Sequence, residues 1–405
     1  MGNRKATYLG TWIKEVYAIF ASEMKRIFLD RGVCIIFFLA GLGYPLLYNF
    51  MYCNGTLDEM PIAVVDLADC ADSRAYLRKV NDTREVRIKY HCASMEEARR
   101  LMEKRKIHGI VLIPSDYAHR LAAGEQATIS TYADMSSLLY YKSLTMATNY
   151  AMLDEIREIQ LERYAAAGTV GEQACQLVEA IPYEENIPYN NAFSYTIFFI
   201  PAVLILLIQQ TMFYGGTMLA GTMREEGDSP FMLGSGKGAG GVIRVMAGRG
   251  LAYFVIYMVL GIYITIITPC VFGQPVNGRF GDLLLLLVFY VLACIMFTFT
   301  VSSFFRKRET VFVTLLFLSP VAILLSGFSW PTSAFPWYWR AFSYLFPSTF
   351  GIQGYLNVNT AGCDLQMAGP QMMGLSIQIM VYFVLACINL YLEGRQIAKH
   401  SRDAE

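Results

Sequence analysis

Few residues in this chain are spaced for covalent chemistry. Gly234-Ser-Gly-Lys-Gly238 has the outline of a phosphate-cradling loop, but that loop needs glycine where Phe231 stands and serine or threonine where Gly238 stands. No other phosphate loop occurs, so the chain is not expected to hydrolyse nucleotide. His91, His108, His119 and His400 have no HExxH or HxxxH spacing, and there is no GxSxG nucleophile elbow. The nine cysteines (Cys34, Cys53, Cys70, Cys92, Cys175, Cys270, Cys294, Cys363, Cys387) never form CxxC, nor do they meet a histidine at metal-ligand spacing. Asp66, Asp69 and Asp72 come nearest to a carboxylate cluster and read as turn and cap chemistry. No catalytic, cofactor or metal site is expected, and no nucleic-acid partner.

What remains is recognition chemistry. Glu225-Glu226-Gly227-Asp228 followed by Pro230, Phe231, Met232 and Leu233 reads as a turn opening a short helix, acidic first and apolar after, because acids and an N1 proline favour a helix start. Exposed, such a helix is a docking knob for another protein; a plain loop is the other reading. Trp12, Val16, Ile19, Phe20, Met24, Ile27 and Phe28 recur at three- and four-residue steps, with Lys14, Glu15, Ser22, Lys25 and Arg26 opposite. Residues 1–32 are therefore expected to hold an amphipathic helix, lying in a membrane interface or packed on a partner.

These stretches need elements to position them. Hydrophobic residues make up 55% of the chain, charged ones 16%, and the net charge is zero, which fits a chain partly in lipid and partly in water. Val33 to Tyr52 is long and uncharged enough to span a bilayer, and apolar runs recur at 193–219, 252–272, 283–305, 311–325 and 373–392. The spans hold almost no ionisable residue, Gln209, Gln210 and Asn389 being the polar exceptions, which argues against a proton or ion relay.

After the fifth run the chain changes character. Gly327, Trp330, Pro331, Phe335, Pro336, Trp337 and Pro347 alternate interfacial aromatics with residues that cannot continue a helix. Irregular backbone at membrane depth must be buried in protein or line a wet cavity, so 326–350 reads as a re-entrant element at the outer mouth of a transport path. An ordinary outer loop with an aromatic belt is the other reading.

Between the first two spans, 54–188 has the pattern of a soluble α/β domain: Pro61 to Asp66 and Ile107 to Ile113 as apolar strands, Val86 to Tyr90 and Ala127 to Tyr132 alternating. Helices are expected at 73–80, 94–104 (with Ser94 and Glu97 as a capping box), 116–122 and 135–167. Arg4, Lys5, Lys14, Lys25, Arg26, Arg31, Arg224, Lys237, Arg244, Arg249, Arg306, Lys307, Arg308, Arg395, Lys399 and Arg402 fall in segments assigned to the cytoplasm, against only Arg279 and Arg340 in the opposite short loops. Positive charge collects inside, so both termini are expected in the cytoplasm and the α/β domain outside, with the cysteines there free to pair.

The order of these parts resembles the permease subunits of ABC-2 type transporters, in particular bacterial exporters with a large extracytoplasmic insertion. The resemblance rests on PIAVVDLADCADSRAYLRKV, on the Gly109 to Pro114 strand with Asp116, and on SGFSWPTSAFPWYW followed by Phe346-Pro347. It implies an α-helical integral membrane protein of six spans: an interfacial helix (1–32), the first span (33–53), the α/β domain (54–188), spans two to six (189–395) and a cytoplasmic tail (396–405). It further implies a half-transporter in the bacterial inner membrane, completed by a second copy or a paralogue. ATP and Mg would be bound by a separate ATPase subunit, and a periplasmic adaptor could meet the outer domain. ATPase contacts would fall on Trp12, Val16, Phe20, Lys25, Arg26, Glu225, Glu226, Gly227, Asp228 and Phe231, although the family's acidic-Arg-acidic-Gly order is altered here by Arg224 preceding Glu225. A receptor or scaffold that binds a ligand through the α/β domain is the competing reading.

Overall fold

The computed structural model describes residues 2–53, 55–179, 190, 194–226 and 239–403. They fall into two compact units: residues 1–55 together with 187–405, and residues 56–186.

The helical unit opens with α1 (Gly2–Leu29). Asp30 ends it and caps the next helix, its Oδ1 accepting from the Gly32 and Val33 amides at 2.9 and 3.2 Å. Helix α2 (Arg31–Met51) contains a π-helical turn over Ile35–Ala40 and Pro45 in its second half.

In the second unit the chain runs β1 (Met60–Asp66), α3 (Ala71–Asn81), β2 (Val86–His91), α4 (Met95–Glu103), β3 (Gly109–Ile113), α5 (Tyr117–Ala123), β4 (Ser130–Ala133), α6 (Leu138–Ala166) and α7 (Glu172–Val178). The sheet order is β2-β1-β3-β4, with β1 parallel to both neighbours and β4 antiparallel to β3. A strand with parallel neighbours on both sides must be covered on both faces. Accordingly Ile62, Ala63, Val64 and Val65 of β1 are all fully buried. Ile62 and Val64 pack with Tyr76, Leu77 and Val80 of α3 and Leu144 and Ala147 of α6, while Ala63 and Val65 pack with Ala98 of α4 and Ile110. Gly109 lies where α6 crosses the sheet: a Cβ there would meet Ile62 and Leu144 at 3.0 Å. Gly124, at φ +76°, closes α5 in the left-handed region. The expected capping box forms by half. Ser94 accepts from the Glu97 amide, but the Glu97 carboxylate accepts from Ala93 at 3.1 Å instead of from Ser94. Asp66 holds the turn after β1, accepting from the Ala68 and Asp69 amides at 3.1 Å and from the Ser73 hydroxyl at 2.7 Å. All nine cysteines are free thiols, so the pairing left open by the sequence is not made.

The helical unit resumes with α8 (Tyr195–Glu225), α9 (Gly240–Val271), α10 (Phe280–Ser302), α11 (Arg308–Leu325), α12 (Trp337–Ser343), α13 (Pro347–Tyr355) and α14 (Gly369–Asp403). Among the described residues five helices are long and apolar enough to cross a membrane: α2, α8, α9, α10 and the part of α14 up to Arg395. The expected span at 311–325 is the 18-residue helix α11, which is not one of those five. Of these five helices α2 is largely uncovered, whereas α8 is the most deeply buried. Glycines let its neighbours close in: a Cβ on Gly216 would meet Thr298 of α10 at 2.8 Å and Tyr253 of α9 at 3.1 Å.

Candidate functional site

At one end of the helical unit four arginines each meet an acid from another element. Arg224, in the last turn of α8, donates from Nε and Nη2 to the two Glu393 oxygens at 2.8 and 3.2 Å, joining α8 to α14. Its Nη1 also donates to the carbonyls of Ser302 and Phe305 at 2.7 and 2.9 Å. Those carbonyls lie at or just past the end of α10, that of Ser302 also accepting from the Phe305 amide at 3.2 Å, so one guanidinium ties the ends of α8 and α10 to the body of α14. Arg308, the first residue of α11, grips Asp30 in bidentate fashion at 2.8 and 3.0 Å and donates to Thr222 Oγ1 at 3.2 Å. Its backbone N–H donates to Glu225 Oε1 at 3.0 Å. The end of α1 and the end of α8 thus converge on one residue.

Helix α1 is keyed along α9 by two more pairs. Arg244 meets Glu15 at 2.6 Å, and Arg249 meets Glu23 at 3.0 Å. The second pair is deeply buried, with side-chain exposures of 10% and 2%, and the Arg249 guanidinium lies 5.3 Å from the Phe299 ring centroid. Between the pairs α1 touches α9 at Gly248, where a Cβ would fall 2.7 Å from Ile19 and 2.9 Å from the Val16 carbonyl oxygen. The opposite end of the unit is held mainly by neutral groups. Gln274 donates to Asn49 at 2.5 Å, the Thr196 hydroxyl to the Tyr52 carbonyl, and Asn277 to the Thr360 carbonyl at 3.0 Å.

Of the residues expected to dock a partner, Trp12, Val16, Phe20 and Arg26 are half-buried and Lys25 is exposed. The face of α1 turned to α9 carries Ile19, Glu23 and Ile27. Glu225 and Glu226 are exposed, while Gly227, Asp228 and Phe231, with Pro230, Met232, Leu233 and Lys237, lie outside the described residues. Sequence reasoning missed Glu23, Asp30 and Glu393, and treated Arg224, Arg244, Arg249 and Arg308 as plain topological charges. Glu23 had a legible signal: an acid four residues from both Ile19 and Ile27 falls on the apolar stripe.

The interrupted segment after α11 has an exposed limb and a buried one. Gly327 turns the chain at φ +76°, and Arg340 closes the following turn by donating to the Thr332 and Ser333 carbonyls at 3.1 and 2.9 Å. Trp330, Pro331, Pro336 and Trp337 are exposed and Phe335 half-buried. Pro347 then opens α13, whose nine residues reach about 14 Å, half a bilayer core. Its first turn is fixed by Gln209, whose Oε1 accepts from the Ser348 amide at 2.6 Å. Gly351 lies flat against the Tyr290 ring, and the Tyr290 hydroxyl donates to the Ile205 carbonyl at 2.7 Å. Gln209, one of the polar exceptions in the spans, is therefore spent on backbone.

In the α/β unit the charged groups make local ties. His108 stacks on Tyr140, ring centroids 3.8 Å apart, and meets Asp134 at 3.0 Å; that hydrogen bond, then those from Ser136, hold the Asp134 carboxyl down to about 2. Burial works against the Lys79 charge, yet hydrogen bonds to Glu158, Glu155 and Asp154 outweigh it and push the ammonium above its usual range. Among the described residues no group of histidine, cysteine and carboxylate side chains is placed to hold a metal ion.

A search of curated proteins finds no match to the chain. A family model described as "ABC-2 family transporter protein" matches residues 32–388, which takes in every element from α2 to most of α14. The chain accordingly belongs to the ABC-2 transporter family, as a multi-pass membrane permease that is itself a transport component and not a catalyst.

Proposed function

We propose that this chain is half of the membrane core of an ABC exporter, driven by a separate ATPase that binds ATP and Mg and completed by a second copy or a paralogue. Six spans, α11 included, carry the chain through the bacterial inner membrane with both termini in the cytoplasm. The α/β unit stands outside, where a periplasmic adaptor is its partner. The ATPase engages α1 and the segment that follows α8, and its closure on ATP shifts the permease between inward- and outward-open states through unequal affinity for the two. The interrupted segment from Gly327 to Pro347 serves as the outer gate.

One observation carries this reading: the two elements assigned to the ATPase meet at Arg308, through Asp30 and Glu225. A push on either is felt by both. The gathering of arginines at that same end supports a cytoplasmic assignment for it. Affinity purification from native membranes followed by mass spectrometry tests the proposal. An ATP-binding subunit is expected to co-purify, with ATP hydrolysis in the complex and none in the isolated chain. Hydrolysis by the isolated chain, or cysteine labelling near Asp116 only from the cytosol, would overturn it.

A further inference from the structure

The Glu23–Arg249 pair fixes α1 to α9 and also limits how α1 can leave. Both groups are buried, and a buried guanidinium stripped of its carboxylate is strongly destabilising. Separating α1 from α9 breaks this pair, and the cost of doing so falls if a second acceptor is open to Arg249. Beside it opens a cavity of about 20 Å3, lined by Arg249, Arg224, Ser302, Ser303, Asn389 and Glu393 among others. Glu393 already accepts from Arg224, but Arg224 has two further acceptors in the Ser302 and Phe305 carbonyls, so that carboxylate can be shared. Unfilled polar capacity lies close by. The Tyr253 hydroxyl stands beside the ion pair, and the hydroxyl of Thr298, which with the Tyr253 ring crowds Gly216, is buried with no hydrogen-bond partner among the described residues.

We propose that Arg249 is a positioning residue with two partners, Glu23 when α1 is seated on α9 and Glu393, across the cavity, when α1 is displaced. The consequence for transport rests on α1 being the element that receives the ATPase; the exchange of partners does not. Displacement then becomes a switch between two paired arrangements, in place of a climb to a stranded charge.

The test uses the full chain in phosphatidylethanolamine/phosphatidylglycerol nanodiscs without any ATPase, so its failure leaves the docking proposal standing. Thermal unfolding and amide hydrogen exchange of α1 are read for E23Q, E393Q and the double variant. E23Q is expected to fold and to speed exchange over α1 by about tenfold. E393Q is expected to leave α1 protection unchanged. The double variant is expected to lose more thermal stability than the two single losses added, because Arg249 then has neither carboxylate. The charge swap E23R/R249E is expected to restore α1 protection. Additive losses, unchanged exchange in E23Q, no restoration by the swap, or an E23Q chain that fails to fold would each overturn the exchange, the last because a guanidinium with a second carboxylate in reach is not stranded.

Discussion

Two glycines two residues apart on α9, and so on different faces of the helix, should respond to the same substitution with opposite signs. At Gly248 a Cβ would sit 2.7 Å from Ile19 Cβ and Cγ2 and 2.9 Å from the Val16 carbonyl oxygen, and none of these is the free end of a flexible side chain. Carbon contacts are comfortable near ~3.5–4.0 Å, so α1 must retreat by roughly 1 Å. Overpacking of this kind costs about 1–3 kcal/mol, against a gain of up to about 1 kcal/mol from replacing glycine in a helix. Gly248→Ala is thus expected to destabilise by about 0–2 kcal/mol, with the retreat also stretching the Arg249–Glu23 bond. At Gly250 the nearest atoms, on Ile295 and Phe299, are 3.9 Å away, so Gly250→Ala keeps the helix gain and adds no strain. Thermal unfolding in detergent micelles should place G248A below the parent chain and G250A level with or above it. Hydrogen exchange should rise over α1 in G248A alone. If G248A is as stable as G250A with α1 equally protected, the close seating of α1 on α9 is wrong.

Glu225 and Glu226 separate two roles. Glu225→Lys removes the acceptor of the Arg308 amide and should cost about 1 kcal/mol in thermal unfolding, the value of a lost cap, whereas Glu226→Lys should leave stability unchanged; both should lose co-purifying ATPase. Retained ATP-dependent export in the double lysine variant would count against docking there. In the α/β unit, Lys79→Met leaves Asp154, Glu155 and Glu158 facing one another and should destabilise by about 1–2 kcal/mol, read as faster exchange in α3 and α6. The Asp134 carboxyl titrates at about 2 in the folded chain against an ordinary 3.8. Because the folded value is the lower, its stabilisation is fully present above the ordinary value and is lost as the pH falls from 3.8 toward 2. Asp134→Asn should flatten that part of the pH–stability curve, and an unchanged slope would refute the pairing with His108.

The apolar runs were legible because a lipid-facing or core helix must exclude charge over its whole length, which leaves a continuous mark in the sequence. The strands of the α/β unit were found for a related reason: β1 is covered on both faces and reads as unbroken Ile, Ala and Val, whereas β2, at the edge, alternates. The break after α11 was announced by Gly327, Pro331 and Pro336, residues whose backbone limits act locally. The site at the charged end was not legible. Glu23 and Arg249, Asp30 and Arg308, and Arg224 and Glu393 are each more than 160 residues apart, and no local pattern marks which arginine will find which acid. Counting those arginines by side gave a topology while hiding that all four are paired. The amphipathic reading of α1 also placed its division imprecisely, because periodicity locates apolar residues but not a carboxylate that is stabilised only by a guanidinium from another helix.

The short helix α13 begins inside the bundle, where its aligned peptide groups present a partial positive charge to apolar surroundings. A carboxylate at that point would answer the field fully, and water would screen it; the chain instead offers the neutral amide of Gln209. The attraction is local and dies away quickly, so the helix is held in place without burying a full negative charge inside the bundle.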